Sequence, residues 1–258
     1  MALFTRTTPA VAVRTMHLDL KGLPPTTRRL LELLDIIAAA RINTVLVEWE
    51  DAYPWRQYPE LRSPTAYSRT TVLRFLARAR DLGIEVIPLI QCFGHLENVL
   101  SRRRFSHLRE RPDNIAELCP SKSESGALVR TLIADILTTH RGFIRRFHIG
   151  GDEAWTMGSC PACAEKAARC GRAALYRGHV EPILDALQDE GIRPILWDDM
   201  MRQWPVSDLK HLAPKTDLMA WAYGADPFAR LTPEILDRYA EAGIPVWGAG
   251  AFKGADGP

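Results

Sequence analysis

Two neighbouring carboxyl side chains, Asp152 and Glu153, follow two glycines in the stretch HIGGDE (148–153). Neighbouring carboxylates oppose each other's ionisation, so a pair held at one place suggests two separate tasks. Carboxyl groups transfer protons, accept hydrogen bonds and hold divalent cations. The pair therefore predicts a catalytic or metal-binding site, and the surrounding elements decide which groups it meets.

Further polar side chains follow other apolar runs of the chain. They are His17 and Asp19, Glu48, Glu50 and Asp51, Gln91, His95 and Glu97, and Asp198 and Asp199. Because the carboxyl ends of parallel strands meet at one edge of a sheet, these residues are expected to share that edge with the HIGGDE acids.

The elements that must position these residues follow a regular alternation. Seven short apolar runs predict strands, at 11–20, 43–50, 85–93, 145–151, 193–199, 216–223 and 244–252. Five segments carry apolar residues at helical spacing, at 26–42, 70–84, 124–140, 173–192 and 232–244. Buried strands rich in Val, Ile and Leu that alternate with helices indicate βα units and a parallel sheet.

Two architectures use repeated βα units, the doubly wound open sheet and the (β/α)₈ barrel of the TIM type. Polar groups after so many consecutive strands favour a ring of strand ends, and the first strand lacks a glycine-rich nucleotide fingerprint. We therefore predict one α/β barrel domain over residues 1–258, incomplete because seven strands are found where closure needs eight. Unpaired strand edges favour association with another chain, so a homo-oligomer is one expectation.

Length and charge exclude several classes of partner. The 258 residues are 47% hydrophobic and 25% charged, with a net charge of +2. This near-neutral balance argues against nucleic-acid and membrane-surface roles. The sequence has no apolar run of the roughly 18 residues that a bilayer requires, and its start does not resemble a secretion signal. A cytoplasmic location is expected.

Three of the five cysteines lie close together, at Cys160, Cys163 and Cys170. Zinc sites in proteins usually have four ligands, so this group is one short. We favour reduced thiols on a helical insertion, with a structural metal as the alternative.

A series of motifs resembles the family 20 glycoside hydrolases, most closely their hexosaminidase D-like branch. In order, the matching segments are HLDLKGLPP (17–25), EDAYPW (50–55), AYS (66–68), IPLIQCFGHLENVL (87–100), HLRE (107–110), HIGGDE (148–153), LWDDM (196–200) and AFKGADGP (251–258). Most glycosidases need carboxyl groups about 5–9.5 Å apart across the scissile bond, which neighbouring strand residues on opposite faces cannot readily provide. The resemblance implies the substrate-assisted exception instead.

The resemblance implies a β-N-acetylhexosaminidase that removes terminal N-acetylglucosamine or N-acetylgalactosamine from glycans or glycosides, without a cofactor or metal. Glu153 would protonate the glycosidic oxygen and later deprotonate water. Asp152 would orient the 2-acetamido group, whose oxygen attacks C1, and stabilise the oxazolinium that forms.

Other site residues carry over with structural alternatives beside them. Arg14 would grip sugar hydroxyls, or pair with Asp19. His95, itself hydrogen-bonded to Glu50 or Asp51, would adjust the pKa of Glu153. The alternative is a hydrogen-bonded histidine in the core. Aromatic rings bind the apolar face of a sugar, which suggests Trp197 and Trp221 as walls, with core packing as the alternative. Many family members have a Tyr-x-Asp pattern on the seventh strand, whereas this chain has Phe252 near that position. The hydroxyl that contacts the acetamido carbonyl would therefore come from Tyr223.

Two other functions stay open. Asp152, Glu153, Asp198 and Asp199 suit a metal-dependent lyase or hydrolase in a barrel mouth. The seven-strand count alternatively suggests an inactive, truncated sugar-binding protein.

Overall fold

A computed structural model describes residues 8–224 and 226–251. Its strands are β1 (Thr15–Asp19), β2 (Thr44–Glu48), β3 (Glu85–Leu89), β4 (Arg146–His148), β5 (Arg193–Trp197), β6 (Asp217–Trp221) and β7 (Val246–Ala249). Its α-helices are α1 (Thr27–Ala39), α2 (Arg69–Asp81), α3 (Glu97–Leu100), α4 (Ser123–His140), α5 (Pro161–Cys170), α6 (Arg172–Asp189), α7 (Val206–Leu212) and α8 (Pro233–Ala242). Phe252 and the end of the AFKGADGP motif lie outside the described residues.

The seven strands form one parallel sheet in the order of the sequence, from β1 to β7. All seven predicted strands and all five predicted helices are present. Each strand pairs with the next one along the chain, as in the register of Leu46 with Ile87 between β2 and β3. Within the described ranges, β1 and β7 each have one strand neighbour.

The sheet curves into a barrel wall, which its two hydrophobic clusters show. Alternate residues such as Val45 and Val47 of β2 point outward, into the large core beneath the helices. The intervening residues point inward and form a separate cluster of Leu46, Ile87, Leu89, Ile195, Trp197, Met219 and Trp221. Strands β1 and β5 are separated by three others in the sheet, yet the rings of His17 and Trp197 lie 6.1 Å apart, which requires the sheet to bend. The barrel-type prediction is confirmed.

The outer helices follow the predicted amphipathic pattern. In α1, Leu30, Leu34 and Ile37 are buried and recur at helical spacing. The Thr26 hydroxyl caps this helix by accepting a hydrogen bond from the Arg29 amide. No helix in the described ranges combines the length and the apolar character needed to cross a membrane.

Candidate active site

Two glycines at the end of β4 bring the acid pair to the mouth of the barrel. Gly150 and Gly151 adopt φ values of +64° and +89°, which favour glycine. A Cβ at Gly150 would lie 1.9 Å from the Gln91 side-chain oxygen, and one at Gly151 would lie 2.4 Å from the Tyr176 hydroxyl. The two glycines therefore allow the chain to turn tightly against its neighbours and present Asp152 at the strand's carboxyl end.

The acid pair shares one histidine, as the order of strands predicts. Nε2 of His95 lies 3.4 Å from Oδ2 of Asp152 and 3.3 Å from Oε2 of Glu153. The Asp152 side chain is 12% exposed and that of Glu153 is 39% exposed. One carboxylate is thus enclosed and the other faces the open mouth of the barrel. These unequal environments suit two different tasks.

The backbone holds this arrangement in an uncommon conformation. His95 and Glu153 have φ values of +56° and +48°, a region that side chains other than glycine rarely occupy. Next to them, a Cβ on Gly94 would lie 2.4 Å from the carbonyl oxygen of Asp152. Such conformations persist where the surrounding structure imposes them, and they concentrate at functional sites.

Charge at the site is set by the contact between His95 and Asp152. The hydrogen bond that His95 donates to Asp152, with the negative charges of Asp152 and Glu153, raises the pKa of His95 to about 9. His95 is therefore an imidazolium at neutral pH. The other oxygen of Asp152, Oδ1, is buried and has no hydrogen-bond partner in the described part of the chain.

Asp199 links the acid pair to the aromatic residues. Its carboxylate accepts the Glu153 amide at 3.0 Å and the Trp221 indole N–H at 3.3 Å. Burial raises the pKa of Asp199 to about 6, against the hydrogen bond from the Glu153 amide, which lowers it. The ring of Trp221 stacks on that of Tyr223, with centroids 5.1 Å apart. Trp221, Asp199 and Glu153 therefore form one connected unit.

An open cavity of about 490 Å³ lies inside the curved sheet, between β7 and the residues of β1 and those before it. Tyr223, which stacks on Trp221, connects this cavity to the unit. Its walls include Trp197, Tyr223, Trp247 and His17. Buried His148 packs against Trp197 with ring centroids 4.4 Å apart, which fixes the indole from behind. A cavity of this size with aromatic walls suits a monosaccharide.

Charged groups at the ends of β1 to β3 form a neighbouring cluster. The sequence predicted polar side chains at these strand ends but not the contacts among them. Glu48 accepts a hydrogen bond from Gln91 at 3.2 Å and lies 3.6 Å from His17. Although burial raises the pKa of Glu48, its contacts with His17, Lys21 and Gln91 leave that pKa below the ordinary value. Burial raises the pKa of Glu50, near Lys21, to about 8.

Two predicted substrate contacts lie away from the acid pair. Arg14 directly precedes β1 and so lies at the amino ends of the strands, whereas the acid pair lies at their carboxyl ends. Its side chain donates to the carbonyl oxygens of Val11, Ala12 and Arg41. Asp51 accepts the Gly22 amide at 3.0 Å. Among the described residues, the carboxylates in ion-pair contact with His95 are those of the acid pair, and the predicted backing by Glu50 or Asp51 is not found.

The four-acid metal centre is not assembled either. Both carboxylate oxygens of Asp198 accept hydrogen bonds from Arg202, and Tyr239 donates to one of them. This side chain is fully buried and points into a structural network. Asp198 is therefore positioned by Arg202 and not by the acid pair.

The cysteines occupy a different arrangement from the predicted one. Cys170 is exposed at the end of α5. Residues 8–224 and 226–251 contain one group of side chains suited to a metal, with ligand atoms within 4.8 Å of one another: Glu110, Cys119, Cys160 and Cys163. One sequence feature links Cys119 to Cys160, since each directly precedes a proline.

Comparison with known proteins gives consistent matches. The family described as "Glycosyl hydrolase family 20, catalytic domain" matches residues 12–235. Hexosaminidase D of Bos taurus is 34% identical over 253 residues, which cover 95% of this chain and 73% of the bovine protein. Hexosaminidase D of Homo sapiens is also 34% identical, over 95% of this chain and 52% of the human protein. The chain thus spans about half of the human relative.

In fold, the chain is similar to the chitobiase of Flavobacterium johnsoniae, with a TM-score of 0.76 and 17% sequence identity. The superposition covers 95% of this chain and 39% of the chitobiase chain. This likeness supports the barrel architecture, and the site residues must be argued from their own geometry.

Proposed function

Because this chain belongs to glycosyl hydrolase family 20, we propose that it is a β-N-acetylhexosaminidase that uses its substrate's own acetamido group as the nucleophile. Its substrates are glycans or glycosides that end in N-acetylglucosamine or N-acetylgalactosamine. One observation carries the proposal: an enclosed carboxylate with an unpaired oxygen, Asp152, lies directly beside a half-exposed one, Glu153.

The unpaired oxygen of Asp152 suits an amide ligand. A buried acceptor without a donor costs about 1–3 kcal/mol. The acetamido N–H of a bound sugar is a donor that would fill this position and relieve that cost. As the acetamido oxygen attacks C1, positive charge develops on the amide nitrogen, and the neighbouring carboxylate stabilises it.

Glu153 suits the proton transfers. It donates its proton to the glycosidic oxygen while the bond from that oxygen to C1 breaks and the acetamido oxygen bonds to C1. In the second step, Glu153 removes a proton from water, which opens the oxazolinium ring and restores the acetamido group. The Asp199 carboxylate holds the Glu153 amide, and so fixes the acid relative to Trp221.

The aromatic residues supply the sugar-binding surface in this proposal. Trp197 and Trp221 pack against the apolar face of the pyranose, and the Tyr223 hydroxyl lies toward the acetamido carbonyl. Since these rings belong to the inner wall of the sheet, they approach the sugar from the side opposite the helices.

Hydrolysis of a chromogenic N-acetyl-β-glucosaminide by the purified protein tests the proposal, with the matching β-glucoside as control. We expect turnover of the first substrate and a rate on the glucoside lower by at least about 10³-fold, since the glucoside lacks the internal nucleophile. Equal rates on both would overturn the acetamido step. Sugar binding without turnover would support the non-catalytic alternative.

The positive charge of His95 predicts a pH-dependent stability. A histidine whose pKa is raised from about 6.5 in the unfolded chain to about 9 in the fold stabilises the protein fully below pH 6.5. That contribution is lost as the pH rises through 9. We expect the difference in unfolding free energy between wild type and His95→Gln to shrink between pH 6 and pH 10.

Urea unfolding at several pH values measures this difference. His107→Gln, which removes an exposed histidine near Glu124 and outside the acid pair, is the matched control. A difference for His95→Gln that stays constant from pH 6 to pH 10 would contradict the assigned charge.

We also propose a cytoplasmic location. All five cysteines have free thiols in the structure, as a reducing compartment would keep them. Recovery of activity in the cytosolic fraction of the producing cells would support this location. Recovery in the periplasmic or membrane fraction would contradict it.

A further inference from the structure

We propose that Cys119, Cys160, Cys163 and Glu110 form a structural zinc site beside the loop that carries Glu153. The inference does not depend on the proposed function. One carboxylate oxygen of Glu110 and the three sulfur atoms lie within 4.8 Å of one another. Thiolates favour zinc over Mg²⁺ or Ca²⁺, and four such ligands satisfy its tetrahedral preference.

The distances between the sulfurs suit a shared ion. Sγ of Cys119 lies 3.5 Å from Sγ of Cys160 and 3.5 Å from Sγ of Cys163. Two sulfurs bound tetrahedrally at about 2.3 Å from zinc are about 3.8 Å apart. A disulfide requires about 2.05 Å, so the three sulfurs are already spaced for a metal and must approach further to oxidise.

Glu110 provides a second observation that points to a bound ion, independent of the thiols. It is 2% exposed, and its Oε1 accepts the backbone N–H groups of Gly158 and Cys160, both at 2.9 Å. Its Oε2 is buried without a hydrogen-bond partner in the described ranges. With one oxygen fixed by two amides, the other is left to face the sulfurs. This is the usual arrangement of a carboxylate ligand oriented by second contacts.

Two polar contacts orient the sulfurs. The Cys163 amide donates to Sγ of Cys160 at 3.4 Å, and the Ser121 hydroxyl lies 3.0 Å from Sγ of Cys163. Zinc binding releases the three thiol protons to solvent and leaves the centre with net negative charge. Arg109 and Lys122 line the cavity that adjoins Glu110.

The site joins two separate segments. Glu110 and Cys119 belong to the connection between β3 and α4, and Cys160 and Cys163 begin α5. The loop from Glu153 to Cys160 is therefore anchored at both ends. A bound zinc would act as a positioning element for the acid pair, with no contact to substrate.

Zinc content of the purified protein, measured by inductively coupled plasma mass spectrometry, tests the site. We expect about one zinc per chain in wild type. Cys170→Ser, which removes an exposed thiol of the same helix, should keep that zinc. Cys119→Ser and Glu110→Gln should each bind zinc at least about tenfold more weakly in competition with a chromogenic chelator.

Cobalt provides a second measurement if a variant fails to fold. Wild type and Cys170→Ser loaded with Co²⁺ should show the near-ultraviolet charge-transfer absorption of thiolate-bound cobalt. A folded, reduced wild type that takes up neither Zn²⁺ nor Co²⁺ would overturn the proposal. So would a disulfide between Cys119 and Cys160 or Cys163 in the protein as purified, or an equal loss of zinc in Cys170→Ser.

Discussion

Replacing Glu153 with glutamine is expected to lower kcat on an N-acetyl-β-glucosaminide by about 10²–10⁴-fold, the usual contribution of a general acid or base. Glutamine keeps the size of the side chain but cannot donate the proton that the leaving oxygen needs. The loss should be largest for alkyl leaving groups and smallest for nitrophenols, because a stable phenolate departs with little protonation.

Steady-state kinetics over a series of leaving groups measures this effect. Glu165→Gln, the same exchange at an exposed position of α5, should leave kcat unchanged. The thermal midpoints of the two variants should lie close together, which separates lost chemistry from lost folding. A Glu153→Gln protein with wild-type rates on alkyl glycosides would exclude Glu153 as the acid.

Replacing Asp152 with asparagine is expected to lower kcat by about 10²–10³-fold, a loss typical of removing one stabilising group of the transition state. The amide cannot neutralise the charge that develops on the substrate's acetamido nitrogen. Any residual hydrolysis of a plain glucoside should change far less, because that substrate has no group for Asp152 to assist.

The same substitution has a readout independent of turnover. The hydrogen bond that Asp152 accepts from His95 is the largest cause of the raised His95 pKa, so that pKa should fall from about 9 toward its ordinary value. Titration of the histidine ring protons by NMR measures the shift. Asp189→Asn, at the exposed end of α6, is the control. An unchanged His95 pKa would contradict the contact, and an unchanged kcat would remove Asp152 from the mechanism.

The resemblance to family 20 predicted from ordered motifs is confirmed by the family match over residues 12–235. The strands and main helices were predictable for a related reason: burial on both faces and amphipathic spacing are written locally into a sequence. Strand β4 followed by two glycines and two acids contained enough information to place the acid pair at the barrel mouth.

Contacts made by individual side chains were less predictable. Arg14 matches the spacing of a family residue, yet its guanidinium donates to the backbone carbonyls of Val11 and Ala12, before β1, and of Arg41, after α1. Glu50 or Asp51 was expected behind His95, but Glu50 lies near Lys21 and Asp51 accepts the Gly22 amide. Both depend on how the connecting loops pass over the strand ends, which spacing along the chain does not encode.

The proposed zinc site also depends on contacts that the fold makes and that spacing along the chain does not encode. The sequence presents Cys160, Cys163 and Cys170 together, whereas the fold turns Cys170 to solvent and brings in Cys119 and Glu110. Only packing of the connection after β3 against the start of α5 makes these four residues neighbours.

The sequence by itself determined the alternation of strands and helices, and with it the barrel edge at which Asp152 and Glu153 lie. The tertiary structure decided that Asp152 is enclosed while Glu153 is open, and that His95 contacts both. The physical reason is that periodic burial is a local property, whereas the exposure and partners of a side chain are set by strand register and by strained loops far apart in sequence.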